Sequence, residues 1–142
     1  MLVTETPCSL SSIRIELKNP VTGQKVGHAK RQYREDRDPK APLFRWRDGA
    51  KRALVHFAVD TDEVWMSTQL AGLSTRFLPF NKGDGHGNGN PAVEGKHRTH
   101  YLWEEIWERR SLLDLVGRFI HLQTESGVNP NTGKKWQKKT LI

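Results

Sequence analysis

Cysteine is nearly absent from this sequence: Cys8 is the only one among 142 residues. A single thiol excludes an internal disulfide and a cysteine-based zinc site, and it is typical of a protein of the reducing cytosol. Apolar residues are also scarce, at 35% of the chain with a mean hydropathy of −0.70. The sequence has no apolar run of about 18 residues, so no membrane span is predicted. Met1–Ser12 lacks the basic start and apolar run of a signal peptide, so a cytoplasmic location is expected.

The length and the charge narrow the class of protein. A chain of 142 residues is expected to form one domain with a modest core, or to be a piece of a larger protein. The formal net charge is +7 and the pI is about 9.8, which favours a polyanionic partner such as nucleic acid. From charge alone, the alternative is a basic surface without a specific partner.

The stretch Ile13–Pro20 carries the pattern with the clearest chemical meaning. Its aliphatic residues alternate with polar ones over Ile13–Leu17, which predicts a short strand that Pro20 ends. The alternation is expected to turn the three aliphatic side chains into a core. Glu16 and Lys18 would then lie together on the opposite face.

A carboxylate and an ammonium group at Glu16 and Lys18 suit phosphodiester cleavage. The carboxylate can hold Mg²⁺, and the lysine can orient or deprotonate the attacking water and face the charge that develops on phosphorus. Glu-x-Lys also occurs by chance in most proteins, so the spacing fits an exposed ion pair at a strand edge as well. Both interpretations stay open on spacing alone.

A helix is predicted from about residue 24 to residue 34, with Gly27 as the position at which it can break. The face expected to pack on the strand consists of Val26, Ala29, Lys30 and Tyr33.

Basic residues cluster between Lys30 and Arg52, and Phe44 and Trp46 are interleaved with them. Because basic side chains contact phosphates and aromatic faces stack on bases, this stretch predicts DNA binding. The residues assigned to DNA are Lys30, Arg31, Arg34, Arg37, Arg45 and Arg47. The alternative is a solvated loop whose two aromatic residues lie in the core.

The apolar run Ala53–Val59 predicts a central strand covered on both faces, and Val64–Thr68 predicts its hairpin partner. The acidic turn between them, residues 60–63, is expected to be solvated, with a metal cluster as the alternative. His56 is predicted to be a hydrogen-bonded core residue.

The remainder of the chain predicts packing and loops. Residues 83–90 form a glycine-rich loop without the Gly-Lys-Ser/Thr of a P-loop, either a flexible surface loop or one whose amides approach a phosphate or a partner. Tyr101–His121 is predicted to be helical, with a break and restart near Ser111. Its second buried face is predicted to comprise Leu112, Leu113, Leu115, Val116, Phe119 and Ile120.

Five segments together resemble the N-terminal nuclease domain of the restriction (R) subunit of type I restriction-modification enzymes. They are Ile15–Pro20, Gln32–Pro39, Arg52–Asp62, Ser74–Gly83 and Tyr101–His121. The most distinctive pieces are Ser-Thr-Arg-Phe-Leu-Pro-Phe-Asn-Lys-Gly and Tyr-Leu-Trp-Glu-Glu, the latter followed by Ser-Leu-Leu-Asp and Gly-Arg-Phe-Ile-His. The resemblance therefore covers roughly residues 13–122 almost continuously.

The resemblance implies an α/β fold of the PD-(D/E)xK nuclease class, with a central mixed sheet flanked by helices. It implies Mg²⁺-dependent cleavage of double-stranded DNA, coupled to ATP-driven translocation by helicase domains further along the subunit. The implied partners are double-stranded DNA and the modification and specificity subunits. By resemblance, Glu16 is the metal-binding carboxylate, Lys18 is the catalytic lysine, and Tyr33 is the tyrosine that ends a Gln-x-x-x-Tyr helix motif.

The chain departs from the family at two places. Ala29 stands where the motif has its glutamine, and Gln32 lies next to the tyrosine instead. The family's metal-binding Asp falls near Leu2, but Met1–Ser12 contains no Asp, and the helicase motifs are absent. The chain is therefore expected to be a fragment with an incomplete active site, inactive alone. Its expected parts are an unmatched leader (1–12), a partial nuclease domain (13–122) and a basic linker or tail (123–142).

Two further hypotheses stay open. The first is a non-catalytic DNA-binding or subunit-docking module that uses the basic stretch Lys30–Arg52 and the basic tail. The second is a stand-alone repair nuclease of the same fold, which would need an Asp from elsewhere.

Overall fold

The computed structural model describes residues 13–45, 52–119 and 122–141. The predicted leader, Trp46 and Arg47 therefore lie outside the described residues. The chain divides into two compact units, residues 1–100 and residues 101–142. Within the described ranges, no helix is both long enough and apolar enough to cross a membrane.

The first unit contains a mixed sheet and one α-helix. Its elements are β1 (Ile13–Leu17), a 3₁₀ turn (Pro20–Thr22), α1 (Val26–Glu35), β2 (Val55–Val59), β3 (Val64–Ser67) and β4 (Leu78–Pro79). The four strands lie in the order β1-β2-β3-β4, with β1 parallel to β2 and the other pairs antiparallel. The expected α/β class is thus confirmed as a mixed α/β arrangement.

The predicted hairpin is confirmed. β2 lies between β1 and β3, and its last four residues are buried, as its apolar sequence indicated. β3 returns antiparallel, with Val59 opposite Val64 and His56 opposite Ser67. His56 is buried, and its ring makes edge contacts with Tyr33 and Phe44.

The strand β1 is confirmed, but the prediction that its aliphatic residues face the core is wrong. Ile15 and Leu17 are 39% and 58% exposed. The reason is that α1 packs on the other face of the strand, where Glu16 and Lys18 contact residues of the helix and of the segment after it. Consequently, the two polar side chains are the ones that lie beneath neighbouring elements.

The helix α1 is confirmed, and Gly27 does not break it. Val26, Ala29 and Tyr33 are buried on the face that was predicted to pack. They join Ala58 of β2 in the core cluster, together with Phe44, Ala53 and Leu70. The fourth predicted residue, Lys30, places its ammonium nitrogen 3.8 Å from the centre of the Trp65 ring.

The second unit begins with helical turns and corrects two predictions. A π-helical turn (Leu102–Ile106) precedes α2 (Arg109–Phe119), so the break falls before Ser111. The Glu108 carboxylate caps the N-terminus of α2, because it accepts hydrogen bonds from the backbone N–H groups of Arg110 and Ser111 at 2.8 and 3.1 Å. The predicted apolar face is not fully buried, since Leu113 is 56% and Leu115 38% exposed.

The end of the chain forms a β-hairpin where an irregular linker was predicted. β5 (Leu122–Val128) and β6 (Lys135–Leu141) pair antiparallel over their whole length. The turn is built by Asn129, whose side-chain oxygen accepts from the Asn131 N–H and whose backbone N–H donates to Lys134 O. The residues that favoured a linker are Gly127, which lies in β5, and the Asn, Pro and Gly residues of positions 129–133, which form this turn.

Candidate functional site

The polar face of β1 meets α1 and the segment after it in a group of five side chains, Glu16, Lys18, Gln32, Tyr33 and Arg37, which we call the Glu16 cluster. Alternation along β1 brings the first two to the same face, as the sequence predicted. Glu16 and Tyr33 also line a surface depression of about 370 Å³. The three residues assigned to catalysis by resemblance, Glu16, Lys18 and Tyr33, are thus all in this one cluster.

Arg37 is bound to the carboxylate of Glu16. Its Nε and Nη2 atoms both donate to Glu16 Oε1, at 2.8 and 2.5 Å. The glutamate side chain is 17% exposed and that of Arg37 36%, so the pair is partly shielded from water. A charge-assisted contact of this kind holds the carboxylate in one orientation and neutralises its charge.

Sequence reasoning assigned Arg37 to DNA and missed this contact. The signal for it was faint: Arg37 follows Tyr33 by four residues, which places it on the same face if the helical turn continues. The helix does not in fact continue to Arg37: α1 ends at Glu35, and Asp36 N and Arg37 N both donate to Gln32 O, at 3.0 and 3.1 Å, at the end of the helix. Helical spacing therefore does not account for this contact.

Lys18 is held by Gln32. The ammonium Nζ donates to Gln32 Oε1 at 2.6 Å, and Lys18 N donates to Val59 O at 2.9 Å, which extends the pairing with β2 beyond the end of β1. Ala29, at the position of the family glutamine, is fully buried. The glutamine that contacts Lys18 is Gln32.

Tyr33 lies behind these polar groups, only 1% exposed. Its hydroxyl donates to Phe57 O over a long 3.4 Å. The pKa of the Tyr33 phenol is raised, first because burial disfavours the phenolate and second because the Glu16 carboxylate repels it. Tyr33 is thus a neutral packing residue that positions its neighbours.

We expect this tyrosine to make the protein less stable at alkaline pH. The folded pKa lies above the unfolded value of about 10, so its contribution is fully present below pH 10 and is lost as pH rises beyond that. Between pH 10 and pH 11, the wild type should lose roughly 1 kcal/mol of unfolding free energy that Tyr33→Phe retains. Urea titrations at both pH values measure this difference.

The comparison of the two proteins isolates Tyr33. Lys30, whose pKa is lowered by burial, is present in both proteins, so its contribution to the pH dependence is the same in each. Parallel pH profiles for the two proteins would contradict the assignment.

The resemblance implies Mg²⁺, and the described side chains do not fit a Mg²⁺ site by themselves. They contain no group of three or more His, Cys, Asp or Glu residues placed to hold a metal ion. Glu16 is the one carboxylate of the Glu16 cluster, and one of its oxygens already accepts two bonds from Arg37. Mg²⁺ requires several oxygen ligands in octahedral geometry, so at least one more acidic group would have to come from outside this cluster.

Most residues that were assigned to DNA binding in the described ranges contact this chain itself. Arg34 donates twice to Thr75 O at 3.1 Å, and Arg45 donates to Pro39 O at 3.3 Å. Lys30 lies over Trp65, as described above. Arg31 is exposed on α1. Lys30 thus contacts the sheet at β3, Arg34 contacts the loop before β4, and Arg45 contacts its own segment, while Arg31 faces solvent.

The acidic turn after β2 is structural at its first residue. Asp60 is 8% exposed, and its Oδ2 accepts from Val26 N at 2.8 Å, at the start of α1. Its Oδ1 accepts from the N–H groups of Asp62 and Glu63, both at 2.8 Å. The prediction of a solvated turn is wrong for Asp60, which connects β2 to the helix that carries Gln32.

The glycine-rich loop is closed by its own hydrogen bonds. Gly83 N donates to Gly89 O at 2.8 Å, and buried Asn90 accepts from Lys82 N and donates to Asp62 O. The Arg98 guanidinium donates to Asn90 O at 2.8 Å. These contacts connect the loop to the turn after β2.

The chain was compared with protein-family models, with curated proteins and with solved structures, and none of them matches it significantly.

Proposed function

We propose that this chain is part of a nuclease domain of the type I restriction R-subunit class, PD-(D/E)xK in type. In the complete subunit, the domain hydrolyses phosphodiester bonds of double-stranded DNA. The chain of 142 residues alone binds DNA but does not cut it. The observation that carries the proposal is the placement of Glu16 and Lys18 on one strand face, with Lys18 fixed by Gln32 of the adjacent helix.

The roles of these residues follow from their contacts. Gln32 fixes the ammonium group of Lys18, a pre-organised positive charge of the kind that stabilises negative charge developing on phosphorus. Glu16 supplies the carboxylate that the resemblance assigns to the metal. Tyr33 fills the space behind both residues without ionising. Because Mg²⁺ needs several oxygen ligands and Glu16 is one carboxylate, we expect cleavage to require further acidic ligands.

A second candidate is a non-catalytic module that binds DNA or docks another subunit. The contact between Arg37 and Glu16 favours it, because this carboxylate is neutralised by an arginine and the chain keeps an excess of positive charge. In that case, Glu16 contributes to the structure of the segment after α1 and to nothing else.

A chimeric R subunit distinguishes the two candidates. Residues 13–37 replace the corresponding segment of an active type I R subunit, and restriction of unmodified phage is measured in cells. We expect the chimera to restrict, and Glu16→Gln or Lys18→Met in it to lower restriction by at least about a hundredfold. Glu35→Gln makes the same chemical change at an exposed glutamate of α1 and is the matched control. Restriction that is insensitive to Glu16→Gln would remove the nuclease assignment.

The purified chain provides the complementary assay. We expect no nicking of supercoiled plasmid with Mg²⁺ or Mn²⁺. Binding to duplex DNA should fall steeply with salt and be unchanged by Glu16→Gln. Metal-dependent nicking that Glu16→Gln abolishes would show that the chain has a complete active site by itself. Failure to bind duplex DNA at any salt concentration would count against both candidates.

A further inference from the structure

We propose that one face of the terminal hairpin β5–β6 is a duplex-DNA contact surface, and that Lys135 and Gln137 are its central residues. The proposal rests on the proposed function for the choice of duplex DNA as partner. It adds a surface to which the Glu16 cluster does not belong.

The register of the hairpin sorts its side chains by face. Lys135 lies opposite Val128, and Gln137 lies opposite Ser126. Directly opposed residues of an antiparallel pair share a face, so these four lie together, and Thr124 lies two residues before Ser126 on the same face. All five residues are exposed. This set, Thr124, Ser126, Val128, Lys135 and Gln137, is called the contact face.

The chemistry of the contact face suits a DNA groove. Lysine contacts phosphate or guanine, and glutamine can bind adenine through two hydrogen bonds. Serine and threonine hydroxyls can donate a hydrogen bond to, or accept one from, a base edge. Val128 is 57% exposed, and an apolar group of this kind can contact the thymine methyl group. The described part of this face contains no acidic residue.

The opposite face is occupied by packing. Trp136 lies opposite Gly127, and its indole covers the glycine so closely that a Cβ atom there would be 2.8 Å from Trp136 Cζ2. A side chain at this position would require the Trp136 indole to move. Glu125, the one acidic residue of the hairpin, is also on this side. The register places Lys138 opposite Glu125, so this face has one residue of each charge, and its covered backbone leaves it less open to a polyanion than the contact face.

The dimensions agree with a ribbon in the major groove. Two paired strands lie about 4.8 Å apart, and a groove about 12 Å wide admits a two-stranded ribbon. Seven residues per strand extend about 23 Å, the length of roughly seven base-pair steps.

Among the described residues, the hairpin carries free positive charge, as exposed Arg31 and Arg76 of the first unit also do. The guanidinium groups of Arg34 and Arg37 are bound to acceptors of the first unit. The ammonium groups of Lys134 and Lys135, in contrast, are exposed and make no hydrogen bond or ion pair with any residue in the described ranges. Cations without an intramolecular partner can neutralise phosphates without first breaking such a contact.

The test uses the full chain and a fluorescein-labelled 20-base-pair duplex, with anisotropy measured between 50 and 200 mM NaCl. We expect Lys135→Glu to weaken binding by about tenfold. We expect Lys135→Gln to lower the slope of log K against log salt by about one. Lys96→Glu makes the same charge change on an exposed residue of the first unit and should alter affinity less than twofold. Trp136→Phe, on the opposite face, should leave both affinity and slope unchanged.

Two outcomes would overturn the inference while leaving the proposed function in place. Equal losses for Lys135→Glu and Lys96→Glu would mean that binding depends on net charge and not on this face. Tighter binding to a single strand than to the duplex would exclude insertion into a groove. Circular dichroism of each variant checks that the hairpin variants fold, and Lys135→Gln remains informative if Lys135→Glu does not.

Discussion

Replacing Asp60 by alanine is expected to lower the free energy of unfolding by about 3 kcal/mol, the largest effect that we predict for a single residue. Its carboxylate accepts three backbone N–H groups, and the one at Val26 is buried at the first turn of α1. Hydrogen bonds to a charged group contribute about 1.5–3 kcal/mol each, and the loss of a helix cap alone costs about 0.5–2 kcal/mol. We measure the change by urea denaturation monitored by circular dichroism, and we expect Tm to fall by roughly 10 °C.

The neighbouring Asp62 provides the matched control. Its side chain is 63% exposed, and it contacts Arg98 at 3.8 Å and the Thr61 hydroxyl at 3.2 Å. Asp62→Ala should therefore change stability by no more than about 0.5 kcal/mol. Asp60→Asn, which keeps an oxygen acceptor but removes the charge, should fall between the two. Equal effects of Asp60→Ala and Asp62→Ala would contradict the capping role of Asp60.

The elements of the first unit were predictable where a pattern had one physical explanation. The apolar run of β2 is typical of a strand covered on both faces, and its hairpin with β3 follows from the short acidic turn. The buried face of α1 followed from helical spacing. These patterns are local, and the packing agrees with them.

Orientation and pairing could not be predicted in the same way. The alternation in β1 predicts that its two faces differ, but it does not predict which face a neighbouring element covers. Because α1 packs on the face of Glu16, Ile15 is exposed. The contact between Glu16 and Arg37 joins residues 21 positions apart, and no local pattern encodes it. The terminal hairpin was mistaken for a linker because its turn residues were more conspicuous than the polar strands on either side.

The contact between Glu16 and Arg37 should stabilise the protein measurably, and its strength bears on what Glu16 can bind. Arg37→Met keeps the aliphatic length but leaves the Glu16 carboxylate, 17% exposed and close to the buried Tyr33, without the arginine that donates twice to its Oε1. We expect a loss of about 1–2 kcal/mol in the free energy of unfolding. Glu16→Gln should cost about 1 kcal/mol, because it leaves Arg37 a neutral acceptor.

A double-mutant cycle separates the pair from the individual losses. Glu16→Gln combined with Arg37→Met should cost about 1 kcal/mol less than the sum of the single changes. The exposed pair of Asp114 and Arg118, with side chains 56% and 72% exposed, is the control and should couple by no more than about 0.5 kcal/mol.

This coupling also sets what a ligand must overcome at Glu16. A cation that displaces Arg37 from this carboxylate binds with a free energy less favourable by about 1 kcal/mol, which lowers its affinity roughly fivefold. If the cycle gives no coupling, the contact is incidental, and Glu16 is as available to a ligand as an exposed carboxylate. If the coupling is present, any ligand that pairs with Glu16 must bind strongly enough to displace Arg37 or must bind the second carboxylate oxygen beside it.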